Sequence, residues 1–279
     1  MKKIIFLVYG VICYLSFLVA ILYMISFVGD FRVSGLLGLE APVAEVGEDA
    51  RSAQAQGVSW YGLLSKTIDS GQATETLGTT LLTNVLLMLL LAVQHTIMAR
   101  PAFKEKWTKI VPQPIERSTF VLVTSLILLL LFWKWLPLPP ADLTVWDVGE
   151  GGLRWLLYGA FALGWVLVFY SSFLIDHFDL FGLRQVVLYW QGRERTALTF
   201  RTPGLYRWVR NPLMLGFLLA FWATPVMSGG HAFFALFMTA YIIVGIQFEE
   251  RDIANALGEE YRQYRGRTSM IIPLPPKGG

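Results

Sequence analysis

Residues 211–248 read NPLMLGFLLAFWATPVMSGGHAFFALFMTAYIIVGIQF, 38 residues without one Asp, Glu, Lys or Arg. As a single helix rising about 1.5 Å per residue this stretch would be about 57 Å long. A hydrocarbon core is only about 30 Å thick, so one straight span is excluded. Pro225 and the Ser228-Gly229-Gly230 triplet supply a break near the middle. The pattern predicts a helical hairpin with legs of about 24–27 Å and both ends on one side of a membrane.

The rest of the chain agrees with that reading. Residues 4–28, 77–99 and 155–175 also carry no charge, and uncharged apolar runs of this length read as membrane spans. Only 15% of the 279 residues are charged, whereas 55% are hydrophobic. A soluble domain carries about 25% charged residues. The expected fold is an all-α integral membrane protein, one domain over residues 1–279. Its bundle of about six membrane helices comprises 4–28, 77–99, 118–136, 153–175 and the hairpin pair. An amphipathic cytoplasmic helix follows at the C-terminal end. Met1-Lys2-Lys3 before an apolar run could open a signal peptide, but such h-regions run only about 7–15 residues. Residues 4–28 are long enough to span, and are read as an uncleaved first helix.

Charge placement orients the bundle. Eighteen of the 23 Lys and Arg residues fall before the first span, between the second and third, between the fourth and the hairpin, or after the hairpin. The positive-inside rule assigns that face and both termini to the cytoplasm. The other face receives residues 29–76, where acids outnumber Arg32, Arg51 and Lys66, and the proline-rich connection 137–152. Residues 29–76 read as irregular chain or a lid, with Ile68-Asp69-Ser70-Gly71 as an N-cap or tight turn before the second span. The net charge of +3 is too small to suggest a nucleic-acid partner. The single Cys13 excludes an intrachain disulfide and a cysteine-based metal site.

Topology sorts the three histidines. His231 falls at the outer hairpin tip and reads as solvated or interfacial. His95 and His177 both reach the cytoplasmic surface, the first near the end of the second span and the second in Asp176-His177-Phe178-Asp179. Polar groups at such depths are functional candidates, with a structural hydrogen bond across helices as the competing reading. Arg210-Asn211-Pro212 and Glu249-Glu250-Arg251 lie at the two ends of the hairpin, which makes them neighbours. Beyond Glu250, the residues Ile253, Leu257, Tyr261 and Tyr264 repeat at helical spacing. At 100° per residue Glu250 joins that face and Arg251 points away from it.

The run Gly204-Leu205-Tyr206-Arg207-Trp208-Val209-Arg210-Asn211-Pro212, then Glu249-Glu250 and Tyr261-Arg262-Gln263-Tyr264, resembles the isoprenylcysteine carboxyl methyltransferase and phospholipid methyltransferase group. Asn211 stands where that group has histidine, and Leu213-Met214 lacks its nearby tyrosine. Four further segments are similar to membrane methanethiol S-methyltransferases, one branch of the group. They are Gln94-His95 with Met98 to Phe103, Glu116-Arg117-Ser118, His177 to Gln185, and Lys66 to Gly71. NnrU-like proteins share the His95 region more loosely. The resemblance covers most of residues 66–273 and implies a bacterial inner-membrane enzyme. It further implies methyl transfer from S-adenosylmethionine to methanethiol, releasing dimethyl sulfide and S-adenosylhomocysteine.

The same resemblance implies a cofactor site of Tyr206, Val209, Arg210, Asn211, Pro212, Glu249, Glu250, Tyr261 and Tyr264, within residues 200–273. Tyrosine faces suit a sulfonium or an adenine. Arg210 suits a carboxylate, and Glu250 with Glu249 suits an ammonium or ribose hydroxyls. Gly149-Glu150-Gly151-Gly152 is the only glycine-rich run that could imitate a soluble nucleotide-binding turn. It follows no expected strand and reads as an outer loop. An alkyl thiol is mostly protonated at neutral pH, so a base is useful. His95 is the first candidate, with His177 or Asp179 orienting it or serving as the base. No metal is called for. Other acceptors remain open, namely a prenylated cysteine carboxylate, a lipid or another thiol, as does a small transporter or structural membrane subunit.

Overall fold

The computed structural model describes residues 1–31, 66–71, 73–140, 143–194 and 200–273. Its elements are α1 (Lys2–Gly29), α2 (Leu77–Ala99), α3 (Pro101–Trp107), α4 (Gln113–Lys134), β1 (Thr144–Asp147), α5 (Gly152–Leu174), α6 (His177–Leu180), α7 (Leu183–Gln191), a 3₁₀ turn (Gly204–Arg207), α8 (Pro212–Trp222), β2 (Val226–Ser228), α9 (Gly229–Leu257) and α10 (Glu259–Arg267). Among the described residues, α1, α2, α4, α5 and α9 are long and apolar enough to cross a membrane. The expected lid over 29–76 falls, for residues 32–65, outside the described residues.

The hairpin forms, but its legs are unequal. The 11 residues of α8 make about 16 Å of helix, too short to cross, whereas the 29 residues of α9 make about 43 Å. Pro225 explains the difference. It has no N–H to donate and it disfavours helical backbone at Thr224, so α8 stops at Trp222. The chain then runs extended at about 3.3 Å per residue, which carries the tip to the far end of the bundle. Extended backbone away from water needs partners, and β1 supplies them. Thr144 pairs with Ser228 and Asp147 with Val226 in an antiparallel ribbon, and Gly229 N–H donates to Leu143 O at 2.7 Å. The described residues are largely helical, as the all-α reading expects, with this short ribbon added, and Gly149-Glu150-Gly151-Gly152 does follow a strand. That strand pairs antiparallel with the hairpin tip and belongs to no parallel crossover.

Two helix pairs carry much of the packing, α5 with α8 and α1 with α4. The α5–α8 crossing is a backbone contact. A Cβ added at Gly216 would lie 2.6 Å from Gly164 O, and one at Gly164 would lie 2.7 Å from Gly216 O. Lipid chains are as apolar as leucine, so membrane helices gain from close packing of small residues. The buried Asn84 in α2 donates to Leu136 O at 2.8 Å and accepts from Leu136 N at 3.0 Å, which satisfies the backbone just past the end of α4. Helix α7, which the sequence reading leaves within a connection, lies along the first half of α1. Val186 fills the space at Gly10, and the Phe6 and Tyr189 rings sit 5.5 Å apart.

The end of the bundle holding β1 and β2 has its own polar contacts. Ser228 donates to Asp69, Thr67 donates to Asp30, and Lys66 Nζ donates to Trp133 O at 2.9 Å. Residues 67–70 form a tight turn through Ser70 N–H to Thr67 O, whereas the N-cap of α2 is Thr76. His231 corrects the expectation of a solvated residue. It is 1% exposed and its Nε2 bonds Phe221 O at 2.9 Å, which ties α9 to the last turn of α8.

Candidate active site

At the opposite, basic end the hairpin brings its two ends together. Asn211 caps α8 with Pro212 at the first helical position, where a missing N–H costs nothing. The segment before it pairs with the chain after α10, Arg210 N donating to Ser269 O at 2.8 Å and Asn211 N to Met270 O at 3.1 Å. Val209 and Pro212 are buried under this junction. The amphipathic helix expected beyond Glu250 divides at Gly258, whose φ of +63° favours glycine. Helix α10 thereby folds back over the 3₁₀ turn.

Arg210 and Glu250 meet in a bidentate pair, Nε to Oε1 at 2.6 Å and Nη2 to Oε2 at 3.2 Å. The remaining Arg210 donors reach Arg265 O and Thr268 O. Glu250 also accepts from Asn211 at 3.4 Å and faces Arg265 Nε at 3.3 Å. Both members of the pair are thus engaged within the protein. Tyr264 donates to Tyr206 O at 2.6 Å, and the rings of Tyr261 and Tyr264 sit 5.8 Å apart. Burial pushes all three phenols up, Tyr264 to about 12, with Glu249 adding to the rise at Tyr206. They stay neutral across the physiological range.

Glu249 is placed differently from its neighbour. Adjacent residues on a helix are 100° apart, so Glu249 points away from the partners of Glu250 and is exposed where Glu250 is buried. Arg100 and Arg117 are close enough to act on it electrostatically, and it acts in turn on Tyr206 and Tyr261. No hydrogen-bond partner of its carboxylate occurs among the described residues. Arg100 donates to Asp252 at 2.8 Å and packs on the Phe248 ring. Arg117 donates to Leu180 O at 2.7 Å.

His95, half-buried beside the Phe120 ring, opens into the same region. Its Nδ1 lies 3.0 Å from the hydroxyl of Tyr241 on α9, and its Nε2 has no partner among the described residues. The group that holds its ring is therefore Tyr241, a residue the sequence reading passes over. The available signal was the one tyrosine of a largely apolar leg, two helical turns before Glu249.

His177 sits in a separate cluster. Ser172 gives its hydroxyl proton to Phe169 O at 2.7 Å, so at 2.8 Å it can only accept from His177 Nδ1. His177 Nε2 then accepts from the Tyr14 hydroxyl at 2.9 Å. Phe173 stacks on the ring at 4.3 Å. Burial lowers the pKa of His177, against an opposing pull from Asp176. Asp179 is buried, with Arg184 Nη1 at 3.3 Å and its backbone oxygen accepting from Gln185. No group of three or more His, Cys, Asp or Glu side chains that could hold a metal occurs among the described residues.

Fold and site together define an integral membrane protein with a polar centre at one end of a helical bundle. The chain is 47% identical over 267 residues to methanethiol S-methyltransferase 2 of Bradyrhizobium diazoefficiens, across 96% of this chain and 89% of that protein. It is 44% identical to the methanethiol S-methyltransferase of Mycobacterium tuberculosis, across 99% and 98% of the two chains. It is 42% identical to that of Crocosphaera subtropica, across 96% and 91%. No family profile matches the chain, and no solved structure matches it. At this identity over nearly the full length, the chain belongs to the methanethiol S-methyltransferase family.

Proposed function

We propose that the protein methylates methanethiol to dimethyl sulfide with S-adenosylmethionine as the donor, at the basic end of the bundle on the cytoplasmic side. The observation that carries the reading is the gathering, at one end of the bundle, of Glu249, whose carboxylate has no hydrogen-bond partner among the described residues, of Tyr206 and Tyr261, on which it acts electrostatically, and of His95, held by Tyr241 through Nδ1. This donor set suits the cofactor. Glu249 takes its ammonium or ribose hydroxyls, and Tyr206 and Tyr261 offer faces to its cationic or aromatic parts. Arg210 and Glu250 hold the α8, α9 and α10 ends in place around it, with Asn211 and Tyr264 bracing the same junction.

When bound, S-adenosylmethionine supplies a methyl group already activated on a sulfonium. The protein adds a thiolate, alignment and exclusion of water. In the tautomer that donates Nδ1–H to the Tyr241 oxygen, which the base role requires, His95 presents its Nε2 lone pair to the thiol and takes its proton. A thiolate formed there would be held for displacement at the methyl carbon, with the sulfonium sulfur as the leaving group that would carry away the electron pair. His177, with both nitrogens engaged, serves as a positioning residue for α6, and Asp179 with Arg184 braces the same turn. The test is an incubation of purified protein with methyl-labelled donor and methanethiol, a prenylated cysteine or a phospholipid. Label in dimethyl sulfide is the expected outcome, and label in either of the other acceptors would replace this reading.

A further inference from the structure

Outside this site, the elbow between α9 and α10 forms a groove of about 310 Å³ lined by Gln247, Arg251, Ala254, Asn255, Arg262 and Arg265. We propose that this groove binds the phosphate headgroup of an anionic membrane phospholipid. Its position on α9 argues for lipid. At 100° per residue, Val244, Gln247, Arg251 and Asn255 share one stripe, while the buried Ile242 and Ile246 face the bundle. The stripe therefore points away from the reaction site.

Depth gives a second argument. Helix α9 is about 43 Å long against about 30 Å of hydrocarbon. Counting about 20 residues from Gly229 puts Arg251 at the level of the lipid phosphates. Towards the membrane centre Leu236 and Val244, 59% and 51% exposed, lie within about 60° of Arg251 around the helix and offer a track for an acyl chain. Charge gives a third. Arg251 has no acidic partner among the described residues, Arg262 meets only the exposed Glu259 at 3.7 Å, and Arg265 uses Nε towards Glu250 and keeps its other nitrogens. Three guanidinium groups with Gln247 and Asn255 match the donors that a phosphate accepts.

The test is native mass spectrometry of the full chain in detergent, titrated with phosphatidylglycerol, phosphatidylcholine or inorganic phosphate. Phosphatidylglycerol should bind at least tenfold tighter than phosphatidylcholine, and excess inorganic phosphate should not displace it. Arg251→Gln with Arg262→Gln should weaken phosphatidylglycerol binding about ten- to thirtyfold, as two arginines facing an anionic headgroup predict. Arg251→Gln alone, at an exposed position, serves if the double variant fails to fold. Equal binding of the two lipids, or unchanged binding by the variants, overturns the proposal. Displacement by inorganic phosphate overturns its lipid identity and leaves a free-anion site.

Discussion

Arg210 and Glu250, 40 residues apart in sequence, form a bidentate pair whose side chains are 10% and 5% exposed. The neighbouring Glu249 has no such partner among the described residues. Adjacent glutamates thus divide between holding the fold and facing the site. Glu250→Ala or Arg210→Ala should destabilise the protein by about 3–5 kcal/mol, the cost of stranding one buried charge, read in thermal unfolding. Glu249→Gln should leave unfolding unchanged and weaken S-adenosylmethionine binding roughly ten- to a hundredfold by calorimetry. The reverse pattern would exchange the two roles.

His95→Ala should lower methanethiol turnover by roughly 10²–10⁴-fold with cofactor affinity intact, and the defect should shrink at high pH, where solution supplies thiolate. Tyr241→Phe removes only the hydroxyl that holds the ring, so turnover should fall about tenfold, the worth of one hydrogen bond. Full activity in His95→Ala, with loss in His177→Ala or Asp179→Ala, would move the base to the other cluster.

Gly216→Ala should cost about 1–3 kcal/mol by overpacking, because the new Cβ would meet Gly164 O and Val168 N. Gly159→Ala on the same α5 meets nothing within 4 Å and should be neutral or slightly stabilising. Equal unfolding temperatures for the two variants would remove the close crossing from the fold.

Burial lowers the pKa of His177 in the folded protein, so the unfolded chain takes up this proton first as pH falls. The stability contributed by the neutral ring is complete above the unfolded value of about 6.5 and is lost progressively below it. Melting temperature should therefore drop between pH 7.5 and 5.5 more steeply in the native protein than in His177→Gln. Identical drops would assign the acid sensitivity to other groups.

Cysteine labelling at residues 45 and 275 should report opposite sides of the membrane, with residue 275 cytoplasmic, because 18 basic residues gather on that face. Labelling of both from one side would invert part of the bundle and disperse the site.

The spans, the hairpin and the end at which polar groups gather were legible in sequence, because each depends on a local quantity. Run length against bilayer thickness marks Lys2–Gly29, Leu77–Ala99 and Gly229–Leu257, and charge bias sorts their ends. The hairpin break followed from Pro225 and its glycines, and Glu250 facing inward followed from helical rotation. Tertiary structure alone decided which groups satisfy one another. The Arg210–Glu250 closure, the Tyr241–His95 bond, the Tyr14–His177–Ser172 chain and the burial of His231 all join elements whose relative rotation no local pattern specifies. The physical reason is that a buried donor or acceptor must find its partner in three dimensions. Sequence spacing restricts which face a residue occupies, and packing decides what stands opposite.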